Sequence, residues 1–343
     1  MTNSNVSADI YEKAAAFTTD KIATIVQITD GAINETYLVE TLGGRFVLQK
    51  MNKIFSPVVM GNLALIQPYV TNAGVLVPHG LDTIDGNPYV LNGGEYWYRA
   101  LKFVPGKTIH DHVAVSQAES AAALVGAFHS ALAPCEADLA VALPNFHDTP
   151  HYMDQLKEVM WANTDEEKTK TLEPLATQVL KLYEETYVDL SALPQRIIHA
   201  DLKISNVLFS DEGEAIALID MDTLMRGSVV VEMGDALRSW CGVAGEDSVN
   251  QVFNEEIAIN AIESYREAAI GVTAEEIKLI PYGIRLLTLE LAARFVTDAY
   301  NEDYFALSTK YDSLYEQNKT RAENQLHFLT AYEAKRNLLE KVV

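Results

Sequence analysis

The run Ile198-His199-Ala200-Asp201-Leu202-Lys203-Ile204-Ser205-Asn206, followed by Ile219-Asp220-Met221-Asp222, constrains this chain more than any other feature. It reads H-x-D-x-x-x-x-N, then an apolar strand, then an acidic pair. Arg196-Ile197-Ile198 is β-like and delivers Asp201 to a loop, where a side chain can project into a cleft. Val207–Phe209 and Ala215–Ile219 flank Asp211-Glu212-Gly213 and spell a short hairpin, of the right length to fold Asp220 back beside Asn206. Phosphoryl transfer from a nucleotide needs a carboxylate for the acceptor hydroxyl's proton and oxygen ligands for Mg²⁺ beside the phosphates. Asp201 fits the first need, and Asn206 with Asp220 the second. Lys203 can offset charge on the transferring group, and His199 suits holding the loop by hydrogen bonding. Asp222 lies two residues beyond Asp220 and points the same way on an extended strand; it is either a second metal ligand or a holder of Lys203. The competing reading, polar residues decorating a solvated loop, does not account for strand, turn, strand and acidic pair following in order.

The rest of the chain divides by pattern. Ile22–Ile28, Tyr37–Glu40 and Arg45–Met51 are β-branched or aromatic and separated by Asp30-Gly31 and Gly43-Gly44, so three strands can form a meander. Pro57–Thr71 has Val59, Leu63, Ile66 and Val70 at helical spacing, with Pro68 weakening its end. Strand-like stretches return at Leu76–Leu81 and Tyr96–Val104, and Pro105-Gly106 punctuates the chain. Beyond it Val115–Leu132 carries an amphipathic stripe. Glu173–Leu190 is a second helix, and the spacing predicts four more near 229–241, 250–270, 274–299 and 310–341. A small β-rich lobe (1–104) and a larger helical lobe (105–343) give an α+β, two-lobed layout like that of protein kinases, within reach of 343 residues.

Bulk properties exclude several partners. The net charge of −22 repels polyanions, so nucleic acid and anionic membrane are poor fits. Cys135 and Cys241 are too few for a disulfide framework and suit a reducing cytosol. Met1–Ile10 lacks an apolar signal-peptide core, and the long stretch without Asp, Glu, Lys or Arg from Ile54 to Leu81 is interrupted by three prolines, Asn62 and Gln67. A soluble, cytoplasmic protein is expected, its oligomeric state left open.

Several further motifs stay ambiguous. Gly31 sits in a turn whose backbone N–H groups can approach phosphates, or in an ordinary hairpin. Gln49 and Lys50 face opposite sides of a strand, so one of them can reach the cleft. Kinases place a Lys on this strand, paired to a Glu of the next helix. No Asp or Glu occurs from Ile54 to Leu81 to pair with it, so Gln49 is favoured to face the nucleotide and Lys50 to be solvated. The nucleotide is expected against the Leu101–Gly106 crossover, with Lys102 and Phe103 as contacts. In Gly234-Asp235-Ala236-Leu237-Arg238, Asp235 either fixes the catalytic loop through its backbone N–H groups or pairs with Arg238 on the helix. Pro144–His151 reads as a rigid polar loop, and Arg294 as an i, i+4 partner of Glu290.

His199–Asn206 and Asp220–Asp222 resemble the aminoglycoside-phosphotransferase/choline-kinase superfamily. The segments GAINETYLVET, RFVLQKMN, PNFHDTPH, ALIDMDTLMRGS, GDALR and LLTLELAARF are similar to a narrower group, the N-acetylhexosamine 1-kinases. This resemblance implies an ATP- and Mg²⁺-dependent kinase acting on the anomeric hydroxyl of GlcNAc or GalNAc, with Asn34, His147, Asp148 and Arg294 in the sugar pocket. It also implies a Glu in the helix after the third strand, where this chain reads Asn62-Leu63-Ala64-Leu65. The expected partner is thus a small molecule. Two other readings compete with a sugar kinase: a kinase for an amino alcohol such as choline or homoserine, and a catalytically silent nucleotide-binding scaffold.

Overall fold

In the computed structural model, residues 6–28, 33–93, 96–110, 112–242, 247 and 252–343 are described. Helix α1 (Ala8–Ala15) precedes strands β1 (Ile22–Ile28), β2 (Glu35–Thr41) and β3 (Gly44–Met51). Helix α2 (Val58–Asn72), β4 (Gly80–Leu81), β5 (Val90–Asn92) and β6 (Tyr96–Lys102) complete the first part. The strands form one antiparallel sheet in the order β1-β2-β3-β6-β4, with β5 also paired to β6. Strand periodicity gives its two faces different tasks. Tyr37, Val39, Phe46, Leu48, Tyr98 and Ala100 close a small core with Ile10, Ala14 and Phe17 around α1. The opposite face turns Val47, Gln49, Arg99 and Leu101 toward the helical part. The turn around Gly31 lies outside the described residues.

The larger part comprises α3 (Val115–Leu132), α4 (Thr149–Ala162), α5 (Glu166–Glu184), β7 (Arg196–Ile198), β8 (Val207–Phe209), β9 (Ala215–Leu218) and β10 (Met225–Gly227). It continues with α6 (Val229–Trp240), α7 (Glu255–Ala268), α8 (Ala274–Asn301), α9 (Leu314–Glu333) and α10 (Arg336–Leu339). Helix α8 is buried over most of its circumference, including the polar side chains of Glu276, Arg285, Glu290 and Asp298. It packs on α6, α9, α4 and α5. A small antiparallel sheet domain and a large helical one reproduce the expected protein-kinase-like class. No helix of the described residues is long and apolar enough to cross a membrane.

Three departures from the sequence expectations have local causes. Asp148 caps a helix: its carboxylate accepts from His151 N–H at 3.1 Å and Pro150 stands in the first turn, so α4 begins inside the stretch expected to be loop. The second expected helix starts earlier, because Asp165 accepts from Glu167 and Lys168 N–H and Pro174 is accommodated within α5. The last expected helix is broken after Glu333, where a short turn separates α9 from α10.

Candidate active site

Two pairings staple the segment from Arg196 to Gly227. Strand β8 pairs with β9, and Ile219 N–H donates to Asn206 O at 2.9 Å, which sets Asp220 beside Asn206. Strand β10 pairs with β7, so the chain leaving Asp222 runs back along the chain entering His199. Between them Ala200 and Asp220 hold left-handed backbone conformations, φ 66° and 65°, which L-residues adopt at a cost and only when surroundings impose them.

Those surroundings are hydrogen bonds. Glu232, buried on α6, accepts His199 N–H at 2.8 Å on one oxygen and Ala200 N–H at 2.7 Å on the other. His129 Nε2 lies 3.3 Å from the same carboxylate, and its Nδ1 2.8 Å from Tyr265 OH. Burial opposes the Glu232 charge, but the His129 and His199 contacts outweigh it and hold the carboxyl below its usual range. His199 Nε2 donates to Ile219 O at 2.8 Å, so its Nδ1 accepts from Asp201 N–H at 3.3 Å. Thr223 Oγ1 donates to His199 O, and Trp240 Nε1 to Leu202 O, both at 2.7 Å. The loop-fixing role weighed for Asp235 thus belongs to Glu232, one turn earlier on α6; Asp235 pairs with Arg238 at 2.9 Å. A single charged residue in the apolar run Val229-Val230-Val231-Glu232-Met233 was the available signal.

The Asp201 carboxylate is partly exposed and is held by its own loop. Lys203 Nζ donates to Asp201 Oδ2 at 2.9 Å, and Asn206 Nδ2 donates to the same oxygen at 3.0 Å and to Asp201 O at 2.8 Å. Burial alone would raise the Asp201 pKa, yet Lys203 overcomes it and keeps the carboxyl lowered. Lys203 is raised for the reciprocal reason, with Asp201 and Asp220 overriding burial. Asp220 is pushed up to about 6, by burial first and by Asp222 second. A carboxylate destabilised in this way calls for a cation. Asn206 spends its amide hydrogens on Asp201, leaving Oδ1 as a neutral oxygen donor next to Asp220. Hard oxygen donors of this kind fit a divalent cation such as Mg²⁺.

Asp222 is placed differently from both roles weighed for it. Both its oxygens bind the Arg99 guanidinium, NH2 reaching Oδ2 at 2.8 Å, while Lys203 is held by Asp201. Asn34 Nδ2 also donates to Asp222 Oδ2 at 3.3 Å, and Asn34 Oδ1 accepts from Asn52 N–H at 2.9 Å. Asn34 therefore joins the acidic pair. Gln49 faces the cleft and accepts from Arg99 Nε at 2.9 Å. Lys50 points to the other face, on Glu35 at 2.6 Å and 4.5 Å above the Tyr96 ring, so it is paired where a solvated Lys was expected. At the crossover, Lys102 N–H bonds His79 O at 2.8 Å, and the Phe103 ring lies 4.3 Å beneath Arg45. Arg99 was overlooked in the sequence, although it is a lone charge in the apolar run Tyr96-Trp97-Tyr98-Arg99-Ala100-Leu101.

On the opposite side of the loop, His147 Nε2 bonds Ala200 O at 2.8 Å and its Nδ1 bonds Glu290 at 2.9 Å. Thr149 Oγ1 donates to the other Glu290 oxygen at 2.6 Å. Glu290 is thus taken by His147 and Thr149, and Arg294 one turn on is instead ringed by Phe146, Tyr152, Tyr304 and Phe305, donating to Tyr304 OH at 3.1 Å. Asp298 accepts from the backbone N–H groups of Asp303, Tyr304 and Phe305 and so holds two of those rings in place. Of the four residues the resemblance implies for a sugar pocket, His147 and Arg294 lie here. Asp148 is exposed at the α4 N-terminus, and Asn34 is on the far side with Asp222.

Residues 24–268 match the model of the phosphotransferase enzyme family. The chain belongs to that family. Its fold is shared at low identity with an aminoglycoside phosphotransferase from Alicyclobacillus acidocaldarius (16% identity, 96% of each chain, TM-score 0.60). It is shared likewise with a microcompartment-associated aminopropanol kinase (16% identity, 97% of this chain and 99% of that one, TM-score 0.62). An amicoumacin kinase solved with AMP-PNP, Ca²⁺ and its antibiotic is a third neighbour (15% identity, 97% and 92%, TM-score 0.62).

Proposed function

We propose that this phosphotransferase moves the γ-phosphoryl group of ATP to a hydroxyl of a small polyhydroxylated acceptor, an N-acetylhexosamine by preference. The observation that carries the transfer chemistry is the Asp201 carboxylate, held at once by Lys203 and Asn206 and set beside Asp220. Asp201 accepts the acceptor's proton, and Lys203 offsets charge on the passing phosphoryl group. Asn206 and Asp220 would hold Mg²⁺, which would supply positive charge to offset the negative charge of the phosphates. With no covalent intermediate to form, catalysis rests on positioning and electrostatics. The acceptor is placed between Asp201 and the His147–Glu290–Arg294 group. Aromatic faces there suit the C–H face of a sugar, and the Arg294 guanidinium suits a carbonyl or hydroxyl oxygen.

An amino-alcohol acceptor is the second reading. It is favoured by the fold shared with a microcompartment-associated aminopropanol kinase. A panel of GlcNAc, GalNAc, choline and homoserine with Mg²⁺-ATP decides between them. Phosphorus NMR of the product distinguishes an anomeric phosphate from other esters. Turnover with GlcNAc or GalNAc supports the sugar reading, and turnover confined to the amines replaces it. Asp201→Ala is expected to fold normally and to lose at least ~10²-fold in turnover. Wild-type turnover in that variant, or binding without turnover across the panel, would remove the catalytic reading.

A further inference from the structure

Kinases place a lysine on the third strand and orient it with a glutamate from the following helix. This chain has neither part in position. Lys50 on β3 faces away from the acidic pair and is occupied by Glu35 and the Tyr96 ring. Helix α2 carries no acidic residue, and its buried polar side chain, Asn62, exchanges two 2.8 Å hydrogen bonds with the Ala140 backbone. A cation nevertheless faces the acidic pair from the sheet. Arg99 on β6 is register partner to Gln49, and its guanidinium is gripped by Gln49 at Nε and by both Asp222 oxygens.

We propose that Arg99 takes over the task of the third-strand lysine, contacting the nucleotide's phosphates from the sheet side, with Asp222 orienting it from the other lobe. The inference rests on the ATP reading given above. Four features support it. The side chains of Arg99 and Asp222 are only 2% and 1% exposed, and a buried ion pair of this kind is a poor source of net stability. What it supplies is a fixed guanidinium. That guanidinium is bonded to Asp222, two residues beyond Asp220, so it reaches the acidic pair from the sheet side. Three of its five N–H groups are spent on Gln49 and Asp222, and the remaining two can donate to phosphate oxygens while Asp222 keeps it oriented. The network beneath it, Asn34 on Asp222 and Gln49 Nε2 on Thr36 Oγ1 at 3.2 Å, ties β2, β3 and β6 to the acidic pair.

The test is calorimetric titration of adenosine and of ADP, without metal, into wild type, Arg99→Gln and Lys50→Ala, each checked by circular dichroism. Wild type is expected to bind ADP more tightly than adenosine. Arg99→Gln is expected to weaken ADP by about tenfold or more, the scale of a charge-assisted hydrogen bond, with adenosine within about threefold. Lys50→Ala should leave both ligands within about threefold, because its charge is spent on Glu35. Unchanged ADP affinity in Arg99→Gln overturns the proposal, as does a loss of ADP affinity in Lys50→Ala. If Arg99→Gln does not fold, Arg99→Lys, which keeps the charge but loses the planar guanidinium, is titrated in its place: weakened ADP with adenosine within about threefold supports the proposal, and unchanged ADP overturns it. Wild type binding neither adenosine nor ADP removes the ATP reading and this inference with it, whereas adenosine and ADP binding that ignores Arg99 removes the inference alone.

Discussion

His147 shows how one residue carries both architecture and charge. It stands in a left-handed turn at φ 57° and reaches the catalytic loop through Ala200 O and α8 through Glu290. Burial works against its cationic form, but the Glu290 carboxylate outweighs burial and raises its pKa to about 9. The folded value lies above the unfolded value of about 6.5, so its stabilisation is complete below pH ~6.5 and is lost as pH rises through ~9. Thermal melts of wild type and His147→Gln should therefore differ most near pH 6, by on the order of 3 kcal/mol at most, and converge above pH ~9. A gap independent of pH would show that the ion pair contributes nothing. Glu290 illustrates the limit of spacing arguments at this scale. Four residues before Arg294, it is well placed for an i, i+4 pair, but a buried carboxylate takes the partners that desolvate it least, here His147 and Thr149.

Among the elements, α6 and α8 matter most, because α6 delivers Glu232 and Trp240 to the catalytic loop. The two helices meet at Gly234 and Gly283. A Cβ on Gly283 would overlap the Val230 carbonyl, and one on Gly234 would overlap the Gly283 backbone. Replacing a mid-helix glycine by alanine ordinarily gains about 1 kcal/mol in helix propensity. Here overpacking against rigid backbone costs more, about 1–3 kcal/mol, so Gly283→Ala should destabilise on net. Urea unfolding measures the sign, and turnover should fall with it as Glu232 shifts. Elements with strong periodicity were legible in the chain: α3 and α6 fall nearly where their apolar stripes place them. Helix α4 escaped because Asp148-Thr149-Pro150, a cap followed by a first-turn proline, reads equally well as loop punctuation. The β8–β9 hairpin was legible because its turn and alternation are local signals.

Over the whole molecule, the two parts share more than a crossover. Leu63, Ile66 and Val70 of α2 are in the main core with Phe128 and Leu132 of α3, while Val59 and Met60 pack with Met51 and Trp97 of the sheet. Gly106 lies hard against Leu208, Ile216 and the Phe209 carbonyl, and Lys107 and Phe209 exchange backbone hydrogen bonds, so the crossover is stitched to the catalytic hairpin. The net charge of −22 works against this compaction by self-repulsion. Raising salt from roughly 0.01 to 0.15 M shortens the screening length from about 30 to 8 Å, so the melting temperature should rise. A fall would mean that ion pairs such as Arg196–Glu276 and Arg321–Asp247 outweigh the repulsion.

The chain's order of residues determined by itself the convergence of Asp201, Asn206 and the β8–β9 hairpin, because a carboxylate, an amide and a short hairpin can meet through local structure alone. Tertiary structure decided which partners those groups found. Asp222 is joined to Arg99 across 123 positions, Asn34 to Asp222 across 188, and His147 to Glu290 across 143. No periodicity or motif encodes such pairings, since they follow from which buried charges the packed helices and sheet bring within hydrogen-bond reach.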